Sequence, residues 1–142
     1  AAWKVYGMHY EVTPFVIKQT SRALRSLKRF DEAAQIIQAG LADTPDSKDL
    51  LIENARIADG HLALADSAAE PDAKTERLNA WKAAVEVAAT DSMAWQKLIL
   101  ALLDDGNKVA AQDALAEART ALSDTTQLLA NARIAALAES AS

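Results

Sequence analysis

The chain has 142 residues, 51% of them hydrophobic and 25% charged, the make-up of one globular domain large enough to bury a core without staples. Its net charge of −5 is uneven: six basic side chains stand against one acidic in residues 1–30, and nine against nineteen in residues 31–142, so the acidic body disfavours general nucleic-acid binding. Cysteine is absent, which excludes disulfides, thiolate zinc sites and cysteine nucleophiles but leaves the compartment open, with the cytoplasm favoured, and no apolar run is long enough to insert into a membrane.

The chain opens Ala1-Ala2-Trp3 without Met, as expected of a trimmed fragment or a mature product, and no signal peptide is visible. Residues 1–13 form an aromatic-rich segment. Trp3, Tyr6 and Tyr10 follow i, i+3, i+7, which predicts either a short extra helix over the first hairpin or a contact to a second chain, another copy included, or to a neighbouring domain. Thirty-three alanines, four glycines and three prolines then predict helix throughout. Thr13-Pro14 starts the first helix, with Val16, Leu24, Leu27 and Phe30 near helical spacing. Lys28-Arg29 is a short turn. The second helix opens at Phe30, carries Ile36, Ile37 and Leu41, and stops at Thr44-Pro45-Asp46-Ser47.

A third helix begins near Lys48 with Leu50, Leu51, Ile57, Leu62 and Leu64, although Gly60 inside it weakens the stretch. Residues 67–74 read as a loop. The fourth helix runs from about Thr75 to Ala89 with Leu78, Trp81, Val85 and Ala88 on one face. Asp91-Ser92 caps a fifth, containing Trp95, Leu98, Ile99, Leu102 and Leu103. A turn at Asp104-Asp105-Gly106-Asn107 leads to a sixth, Val109 to Leu122, and a break at residues 123–125 to a seventh, Leu128 to about Ala138. Asn54-Ala55-Arg56-Ile57-Ala58 recurs as Asn131-Ala132-Arg133-Ile134-Ala135. With a unit of about 34 residues and an insertion near residues 67–74, the two stretches occupy the same helix two repeats apart.

These residues resemble the tetratricopeptide repeat (TPR) family in a divergent form. Counting from Pro14, the family's characteristic places hold Ile17, Thr20, Ser21, Leu24, Ala33, Ile37, Gly40 and Pro45. Counting from Ser92, they hold Trp95, Leu98, Ile99, Leu102, Ala111, Leu115, Ala118 and Ser123. The middle unit is longer and keeps Trp81 and Ala84, while Ile99 and Arg77 stand where small residues are usual. The resemblance implies an all-α, right-handed α-α superhelix. About three helical hairpins (residues 14–47, 48–91 and 92–124) and a capping helix over 126–140 would make one repeat domain over 14–142. Each hairpin stacks on its neighbours to bury its apolar stripe.

Nothing in the sequence points to catalysis. His9 and His61 have no ligand partner at metal spacing, residues 104–107 lack the alternating ligands of a calcium loop, and no phosphate-binding or nucleophile motif occurs. No cofactor is expected. The informative feature is a basic stripe, Lys18, Arg22, Arg25 and Arg29, on one face of the first helix with no acid between Val12 and Phe30.

In the family, the first helix of each repeat lines a concave groove. The resemblance therefore implies that Lys18, Arg22 and Arg25 face it, joined by Glu53 and Arg56 and then by Gln96, Lys97 and Leu100. The expected partner is a protein or peptide segment, anionic in character: an acidic stretch, a C-terminal carboxylate or a phosphorylated segment. The other reading of the stripe is a solvated helix face balanced by Asp31 and Glu32. Lys18 matches one place of the family's carboxylate clamp; Arg22 and Glu53 stand where asparagines would. The function expected is a non-catalytic interaction scaffold. The alternative is an accessory module of a larger enzyme or envelope protein.

Overall fold

The computed structural model describes residues 13–140 and, within the first twelve, the backbone of two strands; residues 1, 6, 7, 12, 141 and 142 lie outside the description. The strands β1 (Ala2–Val5) and β2 (Met8–Glu11) pair antiparallel with Trp3 opposite Tyr10. Strand backbone thus stands where the aromatic spacing predicted a short helix. Three aromatics at i, i+3, i+7 cannot separate the two periods when a glycine interrupts them. The expected second-chain contact of this segment falls on side chains outside the described residues.

Helices form the remainder. They are α1 (Pro14–Ser26), α2 (Phe30–Asp43), α3 (Lys48–Leu64), α4 (Glu70–Val87), α5 (Ser92–Asp104), α6 (Lys108–Ala121), α7 (Thr126–Leu129) and α8 (Ala132–Ser140). Short polar side chains fix most of their starts. Thr13, Ser47, Asp91 and Asn107 each accept a backbone N–H from the first turn they precede. No helix is long and apolar enough to cross a membrane among the described residues.

The helices divide into two compact units, residues 1–73 and 74–142. In the first, α1 and α2 form a hairpin and α3 packs against both. Its core is Ile17, Ala33, Ile37, Leu50 and Ile57, with Leu24 and Phe30 partly buried at its edge. Val16 and Leu27, read from the sequence as part of the apolar face, are 39% and 64% exposed. The buried side of α1 is instead Ile17, Ser21 and Leu24, the residues that the repeat pattern selects. In the second unit α5 and α6 form the hairpin and α8 packs on both, with α7 touching α5 and α8. Trp81, Trp95, Leu98, Ile99, Leu115, Leu128 and Ile134 fill its interior, and the Trp95 indole N–H donates to the Ala89 carbonyl at 2.8 Å.

Two local expectations are corrected. The loop predicted over residues 67–74 shrinks to residues 65–69. Asp66 accepts the N–H groups of Ala68 and Ala69, and Pro71 sits in the first turn of α4, where its missing N–H costs nothing. The predicted seventh helix is two helices, because the Asn131 carboxamide accepts the N–H groups of Arg133 and Ile134 and so starts α8 afresh. The repeated Asn-Ala-Arg-Ile-Ala stretch therefore has a divided role. Ile57 and Ile134 are both buried on helices packed against a preceding hairpin, but Asn54 lies inside α3 and accepts from Gln38 while Asn131 caps a helix. Just upstream, the Thr126 hydroxyl and then its backbone N–H hold the Asp124 carboxyl below the ordinary carboxylate value. That stabilisation is present at neutral pH and is lost as pH falls through the lowered value.

Both hairpin turns close the same way. Lys28 (φ 60°) and Gly106 (φ 78°) sit in the left-handed region one residue past the C-cap. The Arg29 N–H donates to Leu24 and the Asn107 N–H to Leu102, both at 2.9 Å, while Lys28 and Gly106 donate to Arg25 and Leu103. This is the Schellman arrangement, in which glycine is favoured because a Cβ there costs about 1 kcal/mol. Lys28→Gly should therefore stabilise the protein by about 0.5–1 kcal/mol, seen as a higher urea midpoint with an unchanged slope. An unchanged or lowered midpoint would contradict this account of the turn.

Candidate functional site

The face shared by α1 and α3 is charged as well as apolar. Lys18, Arg22 and Arg25 recur at i, i+4, i+7 along α1, and Asp49, Glu53 and Arg56 do so along α3. The two sets interlock. Lys18 Nζ stands 3.6 Å from Asp49 Oδ1. Arg25 donates through Nε to Glu53 Oε2 at 2.8 Å and through Nη2 to Oε1 at 3.3 Å, the fork geometry for which guanidinium is suited. Glu53 is 1% exposed. It was expected on the open groove with Arg56, but it is a buried anion tied to Arg25, and that pairing makes its burial tolerable.

The basic stripe of α1 is thus partly answered by acids that lie far from it along the chain. Arg29 is taken by Glu32 one turn on, through Nε and Nη2. Arg22 is exposed and Arg56 half-buried, and neither forms a hydrogen bond or ion pair among the described residues. Gln96 is half-buried and Lys97 exposed, both on α5 of the second unit. Behind the first-unit face, the His61 ring stands 3.1 Å from Asp31 Oδ1 and meets the Phe30 ring edge-on, with centroids 6.0 Å apart. No group of three metal-ligating side chains converges among the described residues.

In the second unit, Arg77 explains why a large cation replaces the usual small residue. Its side chain is 11% exposed, and Nη2 donates to Asp105 Oδ1 at 2.9 Å while Nη1 stands 3.7 Å from Asp104. Arg133 takes the other oxygen of Asp104 at 2.8 Å. The acidic turn at residues 104–107 is therefore neutralised by arginines. It also gains from cations set at the negative end of α5.

A cleft of about 300 Å³ opens in the same unit among α4, α5 and α6. Val85, Leu98, Leu102 and Ala114 form its apolar floor. Lys82 and Glu86 stand on its α4 rim, and Asp113 and Glu117 on its α6 rim, all exposed. None of the three rim carboxylates has a hydrogen bond or ion pair among the described residues. Sequence reading passed over this feature. Its trace is an acid at i, i+4 on α6 beside the inward-facing Ala114, matched by Glu86 beside Val85.

The architecture is that of a TPR-like, all-α helical repeat, and solved structures bear this out. The chain superposes on TTC0263, a thermophilic TPR protein in Thermus thermophilus, with a TM-score of 0.69 and 19% identity, covering 91% of this chain and 66% of that one. It superposes on human IFIT1, seen as a dimer with PPP-AAAA, with a TM-score of 0.68 and 17% identity, covering 75% of this chain and 25% of that one. The chain thus spans a quarter of IFIT1. No protein-family model and no curated protein matches the sequence.

Proposed function

We propose that the chain is a protein-interaction scaffold whose α1–α3 face holds an anionic segment of a partner protein. The observation that carries this reading is the state of Arg22. It is exposed and unpaired among the described residues, midway between Lys18 and Arg25, which Asp49 and Glu53 hold in place. Four cations on this face meet two carboxylates, so an incoming acid finds uncompensated charge at Arg22 and Arg56. Lys18 and Arg25 already have partners, so on this helix Arg22 is the side chain newly ordered when it forks onto a carboxylate or phosphate. Gln96 and Lys97 are proposed to contact the same kind of segment on their own unit.

Isothermal calorimetry with a synthetic acidic peptide tests the reading. Arg22→Glu should abolish binding and leave the thermal midpoint within a degree or two, since the side chain is exposed. Arg56→Glu should weaken binding at least tenfold. Equal affinity in wild type and Arg22→Glu would remove the proposal.

A further inference from the structure

We infer that the acid-rimmed cleft of the second unit is a docking site for the first helix of another copy of this chain, with Phe15 as the inserted side chain. The size of the cleft limits what it takes. About 300 Å³ admits one large side chain rather than a helix, and lies at the bottom of the range for small-molecule sites. The floor is apolar and the rim carries three unpaired carboxylates against one lysine. The fitting occupant is an exposed apolar knob flanked by cations.

The first unit carries such a knob. Phe15 is 65% exposed, although an aromatic ring of that size is normally inside. On α1 it shares a stripe with Arg22, two turns on, and that stripe continues through exposed Gln19 and Ser26. Phe15 on the Val85–Leu102 floor would bring Arg22 toward the carboxylates of Glu86 or Glu117. The charge match is between two surfaces of the same molecule: the basic first helix and the acidic cleft.

The contact is of the head-to-tail kind, since knob and cleft are different surfaces and each copy has one of each. One helix face also buries well under the about 800 Å² per partner of a standard interface. Association should therefore be weak, concentration-dependent and sensitive to salt, because its ion pairs lie at an exposed rim.

Sedimentation velocity on the whole chain tests this at low and high salt. The wild type should self-associate as concentration rises and dissociate at about 0.5 M salt. Phe15→Ala and Glu117→Lys should each shift association to at least tenfold higher concentration. Glu86→Lys serves as a second rim variant, and thermal melts check that all three remain folded. Mixing decides the geometry. Phe15→Ala keeps a cleft and Glu117→Lys keeps a knob, so the mixture should associate again but stop at a pair. A wild type that stays monomeric at high concentration and low salt overturns the inference, as does self-association that survives Phe15→Ala or a mixture that fails to complement. Acidic-peptide binding is measured separately on the Phe15→Ala variant. Loss of self-association with peptide affinity intact separates this interface from the anion-binding reading, and each can fail without the other.

Discussion

Arg25→Met should cost about 2–4 kcal/mol, the largest loss expected from any one of the cations on the α1–α3 face. The reason lies in the partner it abandons. Glu53 is 1% exposed, and its two oxygens accept from Arg25 Nε and Nη2. Removing one member of a buried pair leaves an uncompensated charge, which typically costs about 3–5 kcal/mol; the 28% exposure of Arg25 places this pair toward the lower end. Much of the loss is the orphaned carboxylate and not the contact itself. The double variant Arg25→Met, Glu53→Leu should therefore recover most of the stability, because an apolar pair of similar volume needs no compensation. Urea unfolding of the two single variants and the double variant measures the coupling. A double variant no more stable than Arg25→Met would show that the pair is not what makes Arg25 matter.

Gly60→Ala should cost about 1–3 kcal/mol, although alanine is the better helix former by about 1 kcal/mol. A Cβ at Gly60 would overlap the Phe30 ring at Cε1, Cζ and Cδ1. The ring is held in turn by the edge-on contact with His61. Either Phe30 leaves its position or α3 moves away from α2, and both disturb the core edge. Phe30→Leu in the same chain should relieve the overlap, so the second substitution would cost less in the Gly60→Ala background than alone. If Gly60→Ala raises the melting temperature instead, the close approach of ring and backbone does not constrain this helix pair.

The repeat architecture was legible in the sequence because it rests on small and large residues at set places. Ala33, Ile37, Ala111 and Ala118 are 0% exposed, and Ile17, Trp95, Leu98 and Leu102 at most 5% exposed, as the pattern required. Plain periodicity did less well. It could not choose between Ile17 and Val16, because both are apolar and adjacent. Gly60 looked like a weak point in α3, yet the helix runs through it, and the missing side chain leaves the space that the Phe30 ring takes. The strand pairing near the start, the Asn131 cap and the first turn of α4 depend on local hydrogen bonds that hydrophobic spacing does not encode.

The candidate face was legible as a stripe of cations but not in its electrostatics. Asp49 and Glu53 lie 31 and 28 residues from Lys18 and Arg25, and only the packing of α3 beside α1 brings them together. The same holds for Arg77, whose partners at Asp104 and Asp105 turned an apparent departure from the repeat pattern into a structural tie.

The near-neighbour packing within each unit has a kinetic consequence. In the first, α1 meets α2 and α3; in the second, α5 meets α6, α7 and α8. Contacts between elements so close along the chain close short loops, and little entropy is lost before they form. Chains of low contact order cross small barriers in microseconds to milliseconds. They also open a helix or two at a time, so a transient, partly unravelled unit is always within reach of a protease or a chaperone.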